Sequence, residues 1–336
     1  MNITFLLLSV LAASISTALI IPKWITKAKT FGLVGRDMNK PDHPEVAEMG
    51  GLCIIWGFGI GLLLYIGLDT FIVSSYQQET YRFLAVYCTI LMIGIIGMMD
   101  DLLGWKKGIT NWKKPFLVLP ATVPMIVINA GSSGMDLPFI GIIDWGILYP
   151  LIIIPLAITC ASNGFNIIAG YNGLEAGMGM IILSTMAIIA GVNQVIPPLV
   201  LSVCMVATLG AFYWFNKNPA KIFPGDTMTY VVGALISCVA ILGNMEKAAL
   251  ILFLPYIIDI ILVSRSRFKA EAFAGIREDG LLVRSNSRYY KLTDVCLDLL
   301  SHTKGGATEQ RVVGLLFCFE GLLAVIVMVI SLHMHF

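Results

Sequence analysis

Residues 82 to 101 read RFLAVYCTILMIGIIGMMDD, and they set the class of the whole chain. The seventeen residues between Arg82 and Asp100 carry no charge, and two aspartates then stand side by side. An α-helix needs about 20 mostly apolar residues to cross the roughly 30 Å hydrocarbon core of a bilayer. The stretch therefore predicts a transmembrane helix that ends in two carboxylates at the membrane surface.

The rest of the 336-residue chain has the same character. Hydrophobic residues make up 57% and charged residues 13%, against roughly 45–50% and 25% in an average globular protein, and the mean hydropathy is +0.85. Ten stretches are long and apolar enough to be spans: 3–22, 48–67, 82–99, 115–132, 145–163, 176–193, 197–215, 228–244, 248–263 and 312–332. The first is interpreted as a retained span because no basic residue precedes it. We predict an all-α polytopic membrane protein with about ten transmembrane helices, forming a single domain over 1–336.

Basic residues indicate the orientation of these spans. The loops after odd-numbered spans hold twenty of the 22 Lys and Arg residues, which leaves Arg82 and Lys247 for the other side. The positive-inside rule then places those loops in the cytoplasm and both termini outside. The largest inward piece, 264–311 between helices 9 and 10, is predicted to be a small cytoplasmic lobe. We expect strands at 281–284 and 288–292 to pair there, before a helix capped near Thr293 or Asp294.

Composition also excludes several classes of function. The net charge of +1 gives no basic field for nucleic acid. The seven cysteines contain no C-x-x-C pair and the four histidines form no H-E-x-x-H set, so neither a disulfide framework nor a zinc centre is predicted. Function must therefore come from the placement of the few polar residues.

The acidic pair at the end of the third span is the first candidate site. Asp100 and Asp101 repel each other, so the pair makes most sense beside a cation or a cationic side chain. A solvated loop start is the structural alternative. Four lysines follow within thirteen residues, at 106, 107, 113 and 114. They suit a site that holds phosphate oxygens near the bilayer, and ordinary inside-positive flanking explains them equally well.

An asparagine-rich loop follows the fifth span. Residues 161–175 read ASNGFNIIAGYNGLE, with Asn163 and Asn166 three apart and Asn172 beyond a glycine-punctuated turn. Amide oxygens can ligate Mg²⁺, while amide N–H groups meet phosphate or sugar oxygens. Helix capping alone accounts for one asparagine. No basic residue lies in this inward loop, so topology does not explain its polarity, and we predict a functional role.

A single aspartate precedes the eighth span. Residues 223–226 read Phe-Pro-Gly-Asp, and a carboxylate so near hydrocarbon is costly unless it is paired. Asp226 is a suitable Mg²⁺ ligand, because Mg²⁺ takes one or two carboxylates and fills its octahedron with water and phosphate oxygens. A helix N-cap is the structural alternative.

Together these motifs resemble the polyprenyl-phosphate N-acetylhexosamine-1-phosphate transferases of glycosyltransferase family 4. The resemblance rests on Asp100-Asp101, on N-x-x-N-x-x-x-G-x-N-G-L-E over 163–175 and on F-P-G-D over 223–226, in that order on alternate inward loops. Within this superfamily the chain is most similar to the UDP-GlcNAc:dolichyl-phosphate GlcNAc-1-phosphate transferases and their archaeal relatives. Residues 172–175 read N-G-L-E where bacterial members usually show Asp-Gly-Leu, and 35–40 read G-R-D-M-N-K, which resembles G-x-D-L-N-K.

The resemblance implies roles for individual residues. It implies that Asn166 and Asp226 ligate Mg²⁺, for which Mn²⁺ could substitute, and that Asp100, Asp101 and Lys114 are catalytic. The residues implied to surround the uridine are Arg36, Asp37, Met38 and Glu48. Asn163, together with Lys114, is implied to lie near the lipid phosphate and the diphosphate, and Asn172 is implied to contact the nucleotide sugar. Arg265 and Arg267 complete the implied substrate-binding residues. The last two stand where the dolichol enzymes carry an Arg-His-Arg type motif.

The reaction implied by the family uses a UDP-N-acetylhexosamine and a membrane-borne dolichyl or polyprenyl phosphate. A sugar-1-phosphate, expected to be GlcNAc-1-phosphate, is transferred and UMP is released, as the first step of lipid-linked oligosaccharide assembly for N-glycosylation. The expected place is the cytoplasmic face of the cell membrane, or of the endoplasmic reticulum in a eukaryote. The sequence leaves a homodimer open.

Two other functional classes compete with this interpretation. A polytopic transporter could use Asp259 and Glu320, inside spans nine and ten, to line a path, but it predicts neither the asparagine-rich loop nor the gathering of polar residues on one side. An intramembrane aspartyl protease needs Gly-x-Gly-Asp, and Phe223 stands in place of its first glycine.

Overall fold

The computed structural model describes residues 2–73, 79–103, 113–137 and 141–333. Its helices are α1 (Ile3–Thr30), α2 (Gly51–Leu68), α3 (Thr80–Leu103), α4 (Lys114–Val118), α5 (Val123–Val127), α6 (Ile154–Phe165), α7 (Leu174–Val192), α8 (Ile196–Asn216), α9 (Gly225–Gly243), α10 (Glu246–Leu252), α11 (Leu254–Arg265), α12 (Leu292–Ser301) and α13 (Glu309–His333). Short antiparallel hairpins join β1 (Val34–Arg36) to β2 (Glu45–Ala47), β3 (Gly134–Leu137) to β4 (Gly141–Asp144), and β5 (Gly275–Ile276) to β6 (Leu282–Val283).

Long apolar helices dominate this structure. Among the described residues, seven helices are long and apolar enough to cross a membrane, and the bent pair α10–α11 makes an eighth if it counts as one span. That pair bends by 55° where Pro255 at the start of α11 removes a backbone donor. Leu7, Leu11, Ile15 and Leu19 on α1 are about half exposed, as expected for a face that meets lipid. The chain is thus an integral membrane protein, and its predicted all-helical character is confirmed.

The fourth and fifth predicted spans are shorter than expected. They correspond to the apolar helices Lys114–Val127 and Tyr149–Phe165, which at 1.5 Å per residue reach about 21 and 26 Å. The first contains the 3-10 turn Leu119–Thr122, and the second begins with the π-helical turn Tyr149–Ile153. Prolines in both segments remove helical hydrogen bonds. The count of ten spans therefore stays a prediction.

Helix α9 lies at the centre of the bundle. It packs against α2, α3, α6, α7 and α8, and nearly all of its side chains are buried. Small residues allow this packing: a Cβ at Gly233 would lie 2.4 Å from the carbonyl oxygen of Ala161 on α6. Because α9 is surrounded on all sides, its N-terminus, which carries Asp226, is reached by loops from several other helices.

The first loop is attached directly to that N-terminus. The N–H of Phe223 donates to the carbonyl of Ala47 at 2.7 Å, and the N–H of Gly50 donates back to Phe223 at 2.9 Å. The N–H of Gly51 donates to the carbonyl of Pro224 at 2.9 Å. These bonds join the end of β2 to the Phe223–Asp226 turn, so that the start of α2 and the start of α9 are held side by side.

One expectation for segment 264–311 is wrong. A strand at Leu282–Val283 is present, but it pairs with Gly275–Ile276 and not with 288–292. A strand at 288–292 would need its backbone N–H groups for pairing. The N–H groups of Tyr290 and Lys291 instead donate to the carboxylate of Asp294, each at 3.0 Å. The predicted helix forms as α12, with Asp294 in its first turn.

Candidate active site at one end of the helix bundle

The Phe223–Asp226 turn places a carboxylate at the start of the central helix. Gly225 has a φ of +69°, a left-handed conformation that costs residues with a Cβ about 1–2 kcal/mol. A Cβ at this position would also lie 2.5 Å from Oδ2 of Asp101. Asp226 follows in the first turn of α9, where the exposed N–H groups favour negative charge. Glycine thus allows the carboxylates of Asp101 and Asp226 to approach the same helix end.

Asp101 caps α9 from the neighbouring helix α3. Its Oδ1 accepts the N–H of Asp226 at 2.7 Å, and its Oδ2 accepts the N–H of Thr227 at 3.1 Å and the hydroxyl of Thr227 at 2.5 Å. The close approach needs Gly97, where a Cβ would lie 2.6 Å from Cα of Thr227. The first N–H groups of a helix have no partner within it. Asp101 supplies that partner and so positions Asp226.

Lys114 joins the other two carboxylates. Its Nζ lies 2.5 Å from Oδ2 of Asp100 and 2.8 Å from Oδ2 of Asp226. Asp100 is buried, whereas the side chain of Asp226 is 27% exposed, so Asp226 is the more accessible carboxylate. Lys113 is exposed. The structure therefore brings Lys114, and not its neighbour, into contact with the acidic pair of α3.

Asn166 reaches the same place from the end of α6. The hydroxyl of Thr229 donates to Oδ1 of Asn166 at 2.9 Å and lies 3.2 Å from the carbonyl oxygen of Asp226. Thr229 stands one turn into α9, so its hydroxyl faces the loop that follows α6. The two predicted metal ligands, which are 60 residues apart in sequence, are thus neighbours in the structure.

The donors of this cluster fit Mg²⁺. Asp100 and Asp226 contact the single ammonium group of Lys114, and the carboxylate of Asp101 binds the backbone N–H of Asp226 beside them. The three carboxylates and one ammonium group leave net negative charge, and the remaining donor is the amide oxygen of Asn166. Among the residues that the structure describes, no group of three or more His, Cys, Asp or Glu side chains could hold a metal ion. Mg²⁺ needs no such cage, because it takes one or two carboxylates and completes its shell with water and substrate phosphates. Asn166 and Asp226 would hold it there.

Glu48 lies beside the acidic cluster. Burial, followed by the negative charge of Asp101, raises the pKa of the Glu48 carboxyl above its usual value. The carboxylate packs against Gly35, where a Cβ would collide with it. The indole N–H of Trp24 donates to the backbone carbonyl of Glu48 at 2.8 Å. These contacts place the predicted uridine-binding residue between β1 and the carboxylates.

A second polar cluster lies where three distant segments meet. The side-chain amide of Asn172 donates to Oδ2 of Asp37 at 2.8 Å, and the backbone N–H of Asn172 donates to Oε1 of Glu309 at 2.7 Å. Lys40 forms an ion pair with Glu309, and its Nζ lies 3.8 Å from Oδ2 of Asp37. We call Asp37, Lys40, Asn172 and Glu309 the Glu309 cluster. It brings together two predicted substrate-binding residues, Asp37 and Asn172.

Further bonds hold the 166–173 turn between the first loop and segment 264–311. The amide of Asn39 donates to the carbonyl of Gly170 at 2.7 Å and accepts the N–H of Ala274 at 3.1 Å. The ammonium group of Lys291 donates to the carbonyl of Ile167 at 2.8 Å, and burial lowers the pKa of Lys291. The turn is therefore fixed from both sides.

Asp259, which the sequence left without a role, has a structural one. Its Oδ1 accepts the N–H of Leu292 at 2.5 Å, and its Oδ2 lies 4.0 Å from Nζ of Lys291. It thus attaches α12 to α11. Glu320 is fully buried in α13, and within the described ranges neither of its oxygens has a hydrogen-bond partner.

Five predicted substrate-binding residues have no described hydrogen bond or ion pair to either cluster: Arg36, Met38, Asn163, Arg265 and Arg267. The three arginines are exposed, and the amide of Asn163 donates to the carbonyl of Thr159 at 2.9 Å within α6. Lys106 and Lys107, of the predicted lysine-rich loop, lie outside the described residues. The roles of all these residues stay predictions.

Three residues of the two clusters were not singled out from the sequence. Lys40 ends the G-R-D-M-N-K motif, so the motif itself was a signal for it. Thr229 stands three residues after Asp226, on the same face of a helix. Glu309 gave a weaker signal, as an acid three residues before the last apolar run at 312–332.

Comparison with known proteins identifies the family of the chain. The model of the family described as Glycosyl transferase family 4 matches residues 83–244, which include Asp100, Asp101, Lys114, Asn166 and Asp226. A protein of Saccharolobus solfataricus is 36% identical over 91% of both chains, and one of Sulfolobus acidocaldarius is 32% identical over 96% of this chain and 95% of its own. Both have the assigned name UDP-N-acetylglucosamine–dolichyl-phosphate N-acetylglucosaminephosphotransferase.

A bacterial relative is also similar. A Bacillus subtilis protein, whose assigned name is undecaprenyl-phosphate N-acetylglucosaminyl 1-phosphate transferase, is 31% identical over 73% of this chain and 65% of its own. These relatives confirm the resemblance drawn from the motifs and do not favour a transporter. The chain belongs to glycosyl transferase family 4 as an integral membrane member.

Proposed function

We propose that this protein transfers GlcNAc-1-phosphate from UDP-GlcNAc to a dolichyl or polyprenyl phosphate and releases UMP. The observation that carries the proposal is the meeting of Asp100, Lys114 and Asp226 beside Asn166 at one end of a membrane-spanning bundle. The names of the three relatives described above refer to N-acetylglucosamine and a lipid phosphate, and they support this choice of substrates.

The proposed reaction is a phosphoryl transfer. An oxygen of the lipid phosphate attacks the sugar-linked phosphorus of UDP-GlcNAc. A new P–O–P linkage forms to the lipid, the bond to the bridging oxygen breaks, and UMP leaves with that oxygen. A phosphate monoester with a second pKa near 6 is already largely dianionic at neutral pH. A strong general base is therefore not required, and positioning with charge neutralisation supplies most of the rate.

The residues of the site fit these demands. Asp226 and Asn166 would hold Mg²⁺, which neutralises phosphate charge when it is bound. Lys114 lies where its ammonium group can meet phosphate oxygens, and Asp100 orients that ammonium group by its ion pair. Asp101 acts on Asp226 through the start of α9. Asp37 and Asn172 are assigned to the nucleotide sugar.

The proposed location of the site is the cytoplasmic face of the membrane. The basic loops lie on the same side of the predicted topology as the site. Lys217 Nζ lies 3.8 Å from the ring centroid of Trp214 at that end of α8, and aromatic and basic side chains commonly occupy the membrane interface. The basic loops support the cytoplasmic orientation, and the contact of Lys217 with Trp214 supports a membrane interface at this end of α8.

The test is UMP release by the purified protein, with mass spectrometry of the lipid product. We expect activity with UDP-GlcNAc, dolichyl phosphate and Mg²⁺ together, and loss of activity in Asp226→Asn. Asp279→Asn, on the exposed turn between β5 and β6, is the matched control. Unchanged UMP release by Asp226→Asn would overturn the assignment of Asp226 to the Mg²⁺ site. Absence of lipid product with every member of a UDP-sugar panel would overturn the function.

A further inference from the structure

Glu309 is a buried carboxylate outside the catalytic cluster and outside the region that the family model matches. It is 4% exposed and begins α13, the last helix. A buried carboxylate is unfavourable unless charge and hydrogen bonds compensate for the lost water. Here Lys40 supplies the charge, the N–H of Asn172 supplies a hydrogen bond, and the start of α13 adds favourable helix N–H groups.

The partners of Glu309 are the segments assigned to the nucleotide sugar. One carboxylate oxygen holds the backbone of Asn172, and the other holds Lys40 of the first loop. The side chain of Asn172 in turn holds Asp37. The contact of Lys40 with Asp37 closes these bonds into a ring, in which Glu309 holds both the backbone of Asn172 and the loop that carries Asp37.

The ring is separate from the groups that meet the transferred phosphate. Lys114 contacts Asp100 and Asp226, and the described hydrogen bonds and ion pairs of Lys114 and Asp226 go to residues outside the Glu309 cluster. The chain between Asn166 and Asn172 connects the two. A change at Glu309 should therefore alter the binding of the donor more than the chemical step.

We propose that Glu309 is a positioning residue for the nucleotide sugar, which holds the Asn172 turn and the Asp37 loop in their binding arrangement. The inference rests on the proposed function, because it takes the donor to be a UDP-sugar. It gives the first turn of α13, the last helix, a part in binding the UDP-sugar.

The test compares Glu309→Ala with Glu309→Gln. Alanine removes the acceptor for the N–H of Asn172, whereas glutamine keeps an oxygen there and loses only the charge. Loss of one hydrogen bond to a charged group corresponds to about tenfold or more in affinity. We expect Glu309→Ala to raise the KM for UDP-GlcNAc about tenfold, while kcat stays within about threefold of wild type. Glu309→Gln should have a KM much closer to that of wild type. Glu278→Ala, at an exposed position of the same lobe, is the matched control.

Lys40→Met provides a second variant that leaves α13 intact. It removes the cationic partner of Glu309, and we expect a KM increase of the same kind. Thermal unfolding of each purified variant identifies any that fail to fold. If Glu309→Ala unfolds, the inference is decided by Lys40→Met, and an unchanged KM for UDP-GlcNAc in that variant would overturn it.

The outcomes separate this inference from the proposed function. Unchanged kinetics in Glu309→Ala, or a fall in kcat with an unchanged KM, would overturn the positioning role while the function stands. If the wild type makes no lipid product, the function fails, and UDP binding by calorimetry still tests Glu309. Equal UDP affinity in wild type and Glu309→Ala would then overturn the inference, as would absence of UDP binding by the wild type.

Discussion

The ammonium group of Lys114 lies 2.8 Å from a carboxylate oxygen of Asp226, although the two residues are 112 positions apart in the chain. The same ammonium group contacts Asp100 at the end of α3. Three helix ends therefore meet at one cation, and the position of Lys114 determines how close the two carboxylates can lie. Substrate phosphates and Mg²⁺ would have to be accommodated around this arrangement.

Replacing Lys114 with glutamine should remove most activity. The neutral amide cannot neutralise phosphate charge, and it leaves Asp100 and Asp226 facing each other without a cation. From the loss seen when one stabilising donor is removed from an active site, we expect kcat to fall about 10²–10³-fold, measured as UMP release. Lys113→Gln changes the exposed neighbour and should stay near wild type. Equal losses in the two variants would contradict the assigned role.

Gly225→Ala should disrupt the start of α9. The new Cβ would adopt a positive φ and would collide with Oδ2 of Asp101, at a cost of about 1–2 kcal/mol from the backbone alone. We expect a lower melting temperature and a large loss of UMP release, because Asp226 follows directly. Gly67→Ala, in α2 with no atom within 4 Å of its Cβ, should be neutral or stabilising. Wild-type activity in Gly225→Ala would show that the turn tolerates a side chain.

Thr229→Val should weaken the response to Mg²⁺. Valine keeps the shape of the side chain but removes the hydroxyl that holds Oδ1 of Asn166 beside Asp226. Losing a group that orients a metal ligand typically costs about 10–100-fold in metal affinity, so the Mg²⁺ concentration for half-maximal activity should rise at least tenfold. Thr229→Ser should remain near wild type, as should Thr30→Val at an exposed position of α1. If Thr229→Ser also raised the Mg²⁺ concentration for half-maximal activity, the hydroxyl would not be the group that holds Asn166 in place.

Glu48→Gln should change how stability depends on pH. Burial, with the charge of Asp101, raises the pKa of Glu48 above its ordinary value of 4.5. A carboxyl with a raised folded pKa contributes stability below the unfolded pKa, and this contribution is lost as the pH rises through the folded value. Glutamine does not ionise. The melting temperature of Glu48→Gln minus that of wild type should therefore increase between about pH 4.5 and neutral pH.

Thermal unfolding in detergent at several pH values measures this difference. Glu278→Gln, at an exposed position, is the matched control for the removal of one carboxylate. A difference that stays constant or decreases in Glu48→Gln would contradict the assigned direction of the pKa shift.

The spans were predictable because each is a local property. An apolar run such as 83–99 has to leave water wherever it lies in the fold, and the structure places a helix there. The runs with several prolines were less predictable, because 115–132 and 145–163 are apolar enough for spans but form shorter or irregular helices. The pairing of 288–292 was wrong because Asp259 and Asp294, from outside any strand pattern, take its backbone donors.

The sequence predicted which residues belong to the site better than it predicted how those residues are arranged. Asp100, Asn166 and Asp226 were identifiable because carboxylates and amides stand out against apolar surroundings and recur in a recognisable order. The contacts that they make with Lys114 and Asp101 were not. The capping of α9 by Asp101 depends on how closely α3 packs on α9 at Gly97, and no spacing within either segment contains that information.

Taken alone, the amino-acid sequence determined the membrane class of this protein, its family and the polar residues of its centre, because hydrophobicity and motif order belong to short stretches of chain. Only the tertiary structure decided that Lys114 lies between Asp100 and Asp226, that Asp101 caps α9, and that Glu309 holds Asn172. Except for the pair of Lys114 with Asp100, these contacts join residues more than a hundred positions apart, and they exist because the packed helices bring their ends to one place.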